Sequence, residues 1–187
     1  MVWRRRREGK TNYIRRKKAL LSKKPLLNVF ISNKNIYAQV IKPEVNGDKV
    51  LAHANSIQLY KMGWPYGRKN IPTAYLIGLL LGKRAKKVGI EEAILYTGVK
   101  GFISGSRMAA VVKGFLDMGM KVPFDEEALP AEERIKGGHI VSYLNRLKEL
   151  DVETTKKRFS KLWDKGLDKL PELVDEFKVK IMEDDLS

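Results

Sequence analysis

The chain has 187 residues, 43% of them hydrophobic, and a formal net charge of +15, which is enough apolar content for one core with an appendage. It contains no cysteine, so disulfide frameworks and thiolate metal sites are excluded, and its longest apolar stretch, Leu76 to Leu81, is far short of the roughly twenty residues that span a bilayer. The basic excess favours nucleic acid or an anionic membrane surface as partner.

The charge is concentrated at the start. Residues 1–24 hold eleven bases (Arg4, Arg5, Arg6, Arg7, Lys10, Arg15, Arg16, Lys17, Lys18, Lys23 and Lys24) against one acid, Glu8. So dense a run of one sign repels itself and buries little apolar area; alone it is expected to stay largely unfolded until a polyanion neutralises it. Arg4 to Arg7 lead into further charge rather than an apolar run, which is not the pattern of an export signal. Residues 25–124 carry fourteen bases and five acids, and residues 125–187 twelve bases and sixteen acids. This divides the chain into a basic arm (1–24), a core domain (25–124) and an extension (125–187) expected to face water or a protein.

After Pro25 the pattern changes to strands. Leu26 to Ile31 is rich in branched and aromatic residues, Ser32 to Asn35 is turn chemistry, and Ile36 to Ile41 places Ile36, Ala38 and Val40 opposite Tyr37, Gln39 and Ile41. A second connection, Pro43 to Asp48 with Asn46-Gly47, leads to a strand over Lys49 to Ser56 in which Val50, Ala52 and Ala54 alternate with Leu51 and His53. Gly63 to Asn70 reads as an aromatic and basic loop. Pro72 opens a helix that runs to about Val88 and stops at Gly89. Its first half is apolar all round and reads as buried; its second half, with Lys83, Arg84, Lys86 and Lys87, is expected in solvent or on a ligand. Glu92 to Tyr96 suits a buried parallel strand after a crossover helix. Ser104 or Ser106 caps a helix ending at Gly119, and Met120 to Pro123 reads as a short strand. Helices are expected over 138–150, 153–165 and 171–183, the last with Leu170, Leu173, Val174, Phe177 and Ile181 on its buried face. The fold class is α/β: a three-stranded antiparallel meander continued by crossover units into a mixed sheet, with a basic N-terminal arm and a helical C-terminal extension.

Little here supports catalysis. The two histidines, His53 and His139, have no cysteine or acidic cluster near them in sequence, so neither a metal nor another cofactor is expected. Gly105-Ser106-Arg107 is not a nucleophile elbow, and no segment has phosphate-loop spacing. A metal-dependent nuclease needs carboxylates converging from strand ends, and the strands over 26–32, 36–42 and up to Tyr96-Thr97 supply none there. Nucleic-acid recognition has better material. Besides the arm, with Tyr13 among its bases, the turns and loops carry Ser32, Asn33, Lys34, Tyr37 and Gln39, then Trp64, Tyr66, Arg68, Lys69 and Asn70. Cations neutralise phosphates, and aromatics interleaved with them stack on unpaired bases; for Trp64 and Tyr66 the alternative is to pin the loop to the core. The helix start at Ser104 to Arg107 offers backbone N–H groups to an anion, or is simply capped.

The run LNVFISNKNIYAQVIKPEVNGDKVLAHANS closely resembles the family of large-subunit ribosomal protein eighteen, and GWPYGRKNIPTAYLIGLLLGKRAKKVGIEEAIL, SGSR and GFLDMGMKVPFDEEALPAEERIKGGHI resemble its archaeal and eukaryotic branch. The resemblance covers nearly the whole chain. It departs near Tyr96 and near Met108 to Ala110, where that branch usually carries an acid and a phenylalanine. It implies a structural, cytoplasmic, ribosome-bound protein without catalysis or membrane contact, which is not a homo-oligomer. Such a protein docks on 5S rRNA, bridges it to large-subunit rRNA in the central protuberance and lies beside ribosomal protein five. The arm and the exposed meander residues Ser32, Asn33, Lys34, Tyr37 and Gln39 are the RNA contacts it implies. The rival reading is a general nucleic-acid-coating protein of the nucleoid type.

Overall fold

The computed structural model describes residues 3–44, 46–150, 152–159 and 166–183. Branched residues on either side of the Ser32–Asn35 turn build a hairpin of β1 (Leu26–Ile31) and β2 (Ile36–Glu44), with Leu27 opposite Val40 and Val29 opposite Ala38. β3 (Gly47–Asn55) pairs antiparallel with β2, and β4 (Ile94–Tyr96) joins β1 in parallel, giving the order β3-β2-β1-β4. The expected meander and its parallel continuation therefore form one mixed sheet. β2 and β3 run further into their connection than the Pro43–Asp48 turn implied, with ladder pairs out to Glu44 and Gly47. A bulge between Val40 and Ile41 inserts Leu51 as an extra residue and breaks the alternation. Val50 is thereby 47% exposed, while Ala52 and Ala54 remain buried. Ser56 is not the end of this strand. It opens α3 (Ser56–Lys61), because the Asn55 Oδ1 accepts from the Gln58 N–H at 3.0 Å and the Gln58 Oε1 accepts from the Asn55 N–H at 3.2 Å, a reciprocal cap.

α4 (Ile71–Lys87) starts where the Asn70 side chain accepts from the Thr73 N–H, and thirteen of its seventeen residues are buried. It packs on the sheet through β2 and β3, and α5 (Arg107–Asp117) packs on it in turn. These two helices meet backbone to backbone. A Cβ on Gly78 would overlap the Val111 carbonyl oxygen and stand 3.0 Å from the Gly114 Cα, and one on Gly114 would overlap the Tyr75 carbonyl. The charged second half of α4 is partly taken up in packing. Lys83 donates to the Ile181 carbonyl at 2.8 Å, and Arg84 to the Gln58 Oε1 at 2.9 Å, with burial lowering the Arg84 pKa. Lys86 and Lys87 are exposed. β4 is half-buried rather than fully buried, and the strand expected over Met120–Pro123 amounts to a single parallel bridge, Glu92 to Lys121.

The C-terminal part consists of α6 (Glu132–Lys136), α7 (Gly138–Leu150), α8 (Val152–Arg158) and α9 (Leu170–Glu183), with 3-10 turns at Glu126–Ala128 and Leu167–Lys169. Residues 160–165 of the helix expected over 153–165 lie outside the described residues. Leu170, Val174, Phe177 and Ile181 join the same hydrophobic cluster as Trp64 and α4. The arm differs from expectation: it holds two helices, α1 (Arg4–Arg7) and α2 (Tyr13–Leu21), which bury none of their residues. Asn12 caps α2 by accepting from the Arg15 N–H at 3.1 Å, and groups of the body hold Arg15 and Arg16. Among the described residues no helix is long and apolar enough to cross a membrane.

The α4–α5 crossing sets a stability prediction. Gly78→Ala and Gly114→Ala should each cost at least the roughly 1–3 kcal/mol typical of overpacking, lowering the thermal midpoint by about 2–4 °C per kcal/mol in a protein this size. Gly101→Ala, whose Cβ would meet nothing within 4 Å, should leave the midpoint unchanged. Equal midpoints for all three variants by circular dichroism melting would contradict the close crossing.

Candidate nucleic-acid interface

Because side chains alternate along a strand and α4 occupies one face of the sheet, every second residue is directed to the other face. Register places Asn28 beside Gln39, His53 and Tyr96, and Phe30 beside Tyr37 and Asn55, all on that second face. Phe30 is 53% exposed. Its ring centroid lies 6.3 Å from that of Tyr37, and the Lys100 Nζ sits 5.3 Å from the Phe30 centroid while donating to the Ile31 carbonyl at 3.2 Å. Leu26 and Ile41, paired on the same face, are buried apart from the main core cluster.

The arm crosses this face. Its Arg16 forms an ion pair with Asp48 near the start of β3, and the carboxylate holds the guanidinium pKa above its ordinary value. The same guanidinium lies 6.0 Å from the centroid of the Tyr96 ring. Arg15 donates to the Lys100 carbonyl at 3.0 Å, and Lys24 pairs with Glu92. Glu8 pairs with both Arg4 and Lys10 at 2.8 Å, and Tyr13 stacks loosely with Trp3. Arg6, Arg7, Lys17, Lys18 and Lys23 are exposed. Between arm and sheet lies a cleft of about 1160 Å³ with Arg5, Lys10, Tyr13 and Arg16 on one wall and Phe30, Tyr37, Gln39 and Tyr96 on the other. Cations opposite flat aromatic surfaces can neutralise phosphates and stack on bases at once.

A second group gathers beside it. Lys69 donates to the Asn33 carbonyl at 3.2 Å, and Arg107 to the Lys69 carbonyl at 3.4 Å. With Ser32, Lys100 and Ser106 they line a shallow hollow of about 340 Å³. Ser106, not Ser104, caps α5 by accepting from the Ala109 N–H; Ser104 is exposed in the preceding turn. Some candidate side chains are already engaged. The Ser32 hydroxyl closes the β1–β2 turn through both backbone groups of Asn35, the Asn70 oxygen caps α4, and Arg68 lies over the Tyr60 ring at 5.6 Å. Lys34 is exposed at the hairpin tip.

Trp64 requires correction. Its side chain is 0% exposed, its Nε1 donates to the Thr73 Oγ1 at 2.9 Å, and its ring packs edge-on against Tyr66 and Phe177. It has no free face for a base, because the loop folds down over the start of α4 and under α9. Tyr66 is likewise buried, its hydroxyl donating to the Gly166 carbonyl at 2.8 Å. Asn28, Phe30, Tyr96 and Lys100, in contrast, were not singled out from the sequence. Alternation along Leu26–Ile31 marks the first two, but the last two depend on the parallel β1–β4 pairing. Met108 is buried, so the family departure near it falls in the core. Among the described residues no three His, Cys, Asp or Glu side chains gather as a metal group would need.

Residues 1–93 match the family model described as "Ribosomal large subunit proteins 60S L5, and 50S L18". Three curated relatives carry the name large ribosomal subunit protein uL18. That of Methanothermobacter thermautotrophicus is 47% identical over 98% of this chain and 95% of its own length. That of Thermofilum pendens is 44% identical over 96% and 92%, and that of Caldivirga maquilingensis 46% over 97% and 89%.

The two kinds of aromatic separate experimentally. Phe30→Ala and Tyr37→Ala should each weaken binding of structured RNA by about 1–3 kcal/mol, the usual worth of a base stack, with little change in melting temperature. Trp64→Ala should destabilise the fold by about 3–5 kcal/mol. Unaltered affinity for the Phe30 and Tyr37 variants in filter binding at fixed salt would remove the sheet face from the interface.

Proposed function

The chain belongs to the uL18 family of large-ribosomal-subunit proteins, in its archaeal form, and from that premise we propose that it binds 5S rRNA through the cleft between arm and sheet. As a member of that family it is a structural, ribosome-bound cytoplasmic protein, not an enzyme. The observation that carries the proposal is the juxtaposition of Arg16, Lys100 and the arm cations with Phe30, Tyr37 and Tyr96 around one open cleft. A-form duplex hides its base edges in a deep major groove, so an aromatic-and-basic cleft suits loops and bulges with unstacked bases. The exposed arm bases and the Asn33–Lys69–Arg107 group supply phosphate contacts around it. In this reading Arg4, Arg5, Arg6, Arg7, Lys10, Lys17, Lys18 and Lys23 are interchangeable charges, Arg15 and Lys24 are also tied to the body, and Tyr13, Gln39, Tyr37 and Phe30 shape the site. The bound 5S rRNA is bridged to large-subunit rRNA in the central protuberance, with ribosomal protein five as a neighbour.

Removing residues 1–24 tests the electrostatic half. If about six arm charges reach phosphates, log K falls with log salt by a slope of roughly −4 from that segment alone. The truncated protein should lose that part of the slope yet keep its melting transition, since neither arm helix buries a residue. An unchanged slope would reject the arm as an RNA-binding element. Competition between 5S rRNA, an unrelated structured RNA and duplex DNA at matched salt tests selectivity, and equal affinities would favour the nucleic-acid-coating alternative.

A further inference from the structure

Residues 1–100 contain only five acids: Glu8, Glu44, Asp48, Glu91 and Glu92. Three of them sit on arm cations, Glu8 within the arm and Asp48 and Glu92 on the body. In a segment where bases far outnumber acids, carboxylates beside an RNA site repel phosphate, so their placement calls for a reason. Asp48 and Glu92 hold the arm at two separated points, Arg16 midway along α2 and Lys24 at its junction with β1. Next to Arg16, Arg15 donates to the Lys100 carbonyl. Held so, the arm forms one wall of the cleft, with Arg16 beside Tyr96.

We propose that Asp48 and Glu92 are specificity-determining residues: an acidic clasp that keeps the arm docked on the sheet. The proposal rests on the reading of the cleft as the RNA site. An RNA whose shape fits the cleft binds with the clasp closed and uses the arm as a ready-made wall. A polyanion that engages only the arm's charge must first draw it away from the two carboxylates. It therefore sees only the undocked fraction, and its apparent affinity falls to that fraction of the intrinsic value. Exposed ion pairs are individually weak, which suits a latch that opens without unfolding anything. The clasp thus lowers binding to the wrong RNA rather than strengthening binding to the right one.

The test compares two full-length double variants of equal net charge. Asp48→Asn/Glu92→Gln opens the clasp, and Glu44→Gln/Glu91→Gln removes two nearby acids that pair with no arm cation among the described residues. Affinities are measured for 5S rRNA and for an unrelated structured RNA of the same length, and tryptic cleavage in the Arg15–Lys18 run is timed without RNA. Relative to the control variant, the clasp variant should bind the unrelated RNA roughly two- to tenfold more tightly, as two exposed ion pairs allow. Its 5S affinity should not rise, and its arm should be cut several times faster. Equal affinities of the two variants for the unrelated RNA, an equal gain on both RNAs, or equal cleavage rates would overturn the clasp. If the unaltered protein treats the two RNAs alike, the 5S reading fails, while the cleavage rates and the unrelated RNA still decide whether the arm is latched.

Discussion

The burial of α4 is the constraint from which the other arrangements follow. A helix apolar on every side has to be enclosed, and here the sheet encloses it through β2 and β3, α5 through a glycine-lined crossing, and α9 along a further flank. The sheet thereby gives one face to the core. Among the described residues no helix of comparable apolarity covers its other face, and beyond Leu26 and Ile41, which are buried there, the residues directed to it include Asn28, Phe30, Tyr37, Gln39 and His53, polar or aromatic. The same enclosure fixes Trp64. Once α9 lies against α4, the loop before α4 is trapped beneath it, and the indole becomes core with its single donor satisfied by Thr73.

The C-terminal third is acidic overall, yet several of its acids are matched locally. Lys136 pairs with Asp175 at 2.9 Å and Lys148 with Asp168 at 3.1 Å. These exposed pairs add little stability, but each offsets the charge of its carboxylate locally. Its attachment is mainly apolar, reinforced by two lysines that reach across: Lys83 of α4 donates to carbonyls at the end of α9, and Lys180 of α9 donates to the Met62 carbonyl. Charge that looks available to a ligand in the sequence, as in the second half of α4, is partly taken up in holding one helix against another.

What the sequence disclosed was what local rules govern. Alternation gave β1 and β2, Pro72 at the start and Gly89 at the stop bounded α4, and the spacing of Leu170, Val174, Phe177 and Ile181 gave the buried face of α9. The Asn55–Gln58 capping box was also local, but it was hidden by a strand pattern running into it. The remaining differences arise from contacts distant in sequence. The bulge that turns Val50 outward needs the β2 partner, Tyr96 enters the open face only through its parallel register with Asn28, and the fate of Trp64 depends on Phe177. The arm is the sharpest case. Its charge density argues for an unfolded segment, and that argument omits the acids at positions 48 and 92, which are neighbours of the arm only after folding.

This changes how affinity and selectivity divide between arm and body. If the arm were a loose tether, its charges would add the same favourable free energy to any polyanion and the folded body alone would discriminate. In the structure the arm is instead one wall of the cleft, and Arg16 is held by a carboxylate on one side and faces Tyr96 on the other. A guanidinium fixed beside a tyrosine ring already has its orientation restricted, so less rotamer entropy is lost when a base or phosphate enters. The cleft exists as a shape only while the arm is docked. Selectivity in the proposed RNA site is therefore a property of the arm and sheet together, and the most charged segment of the chain contributes to it by where it is held as much as by the charge it carries.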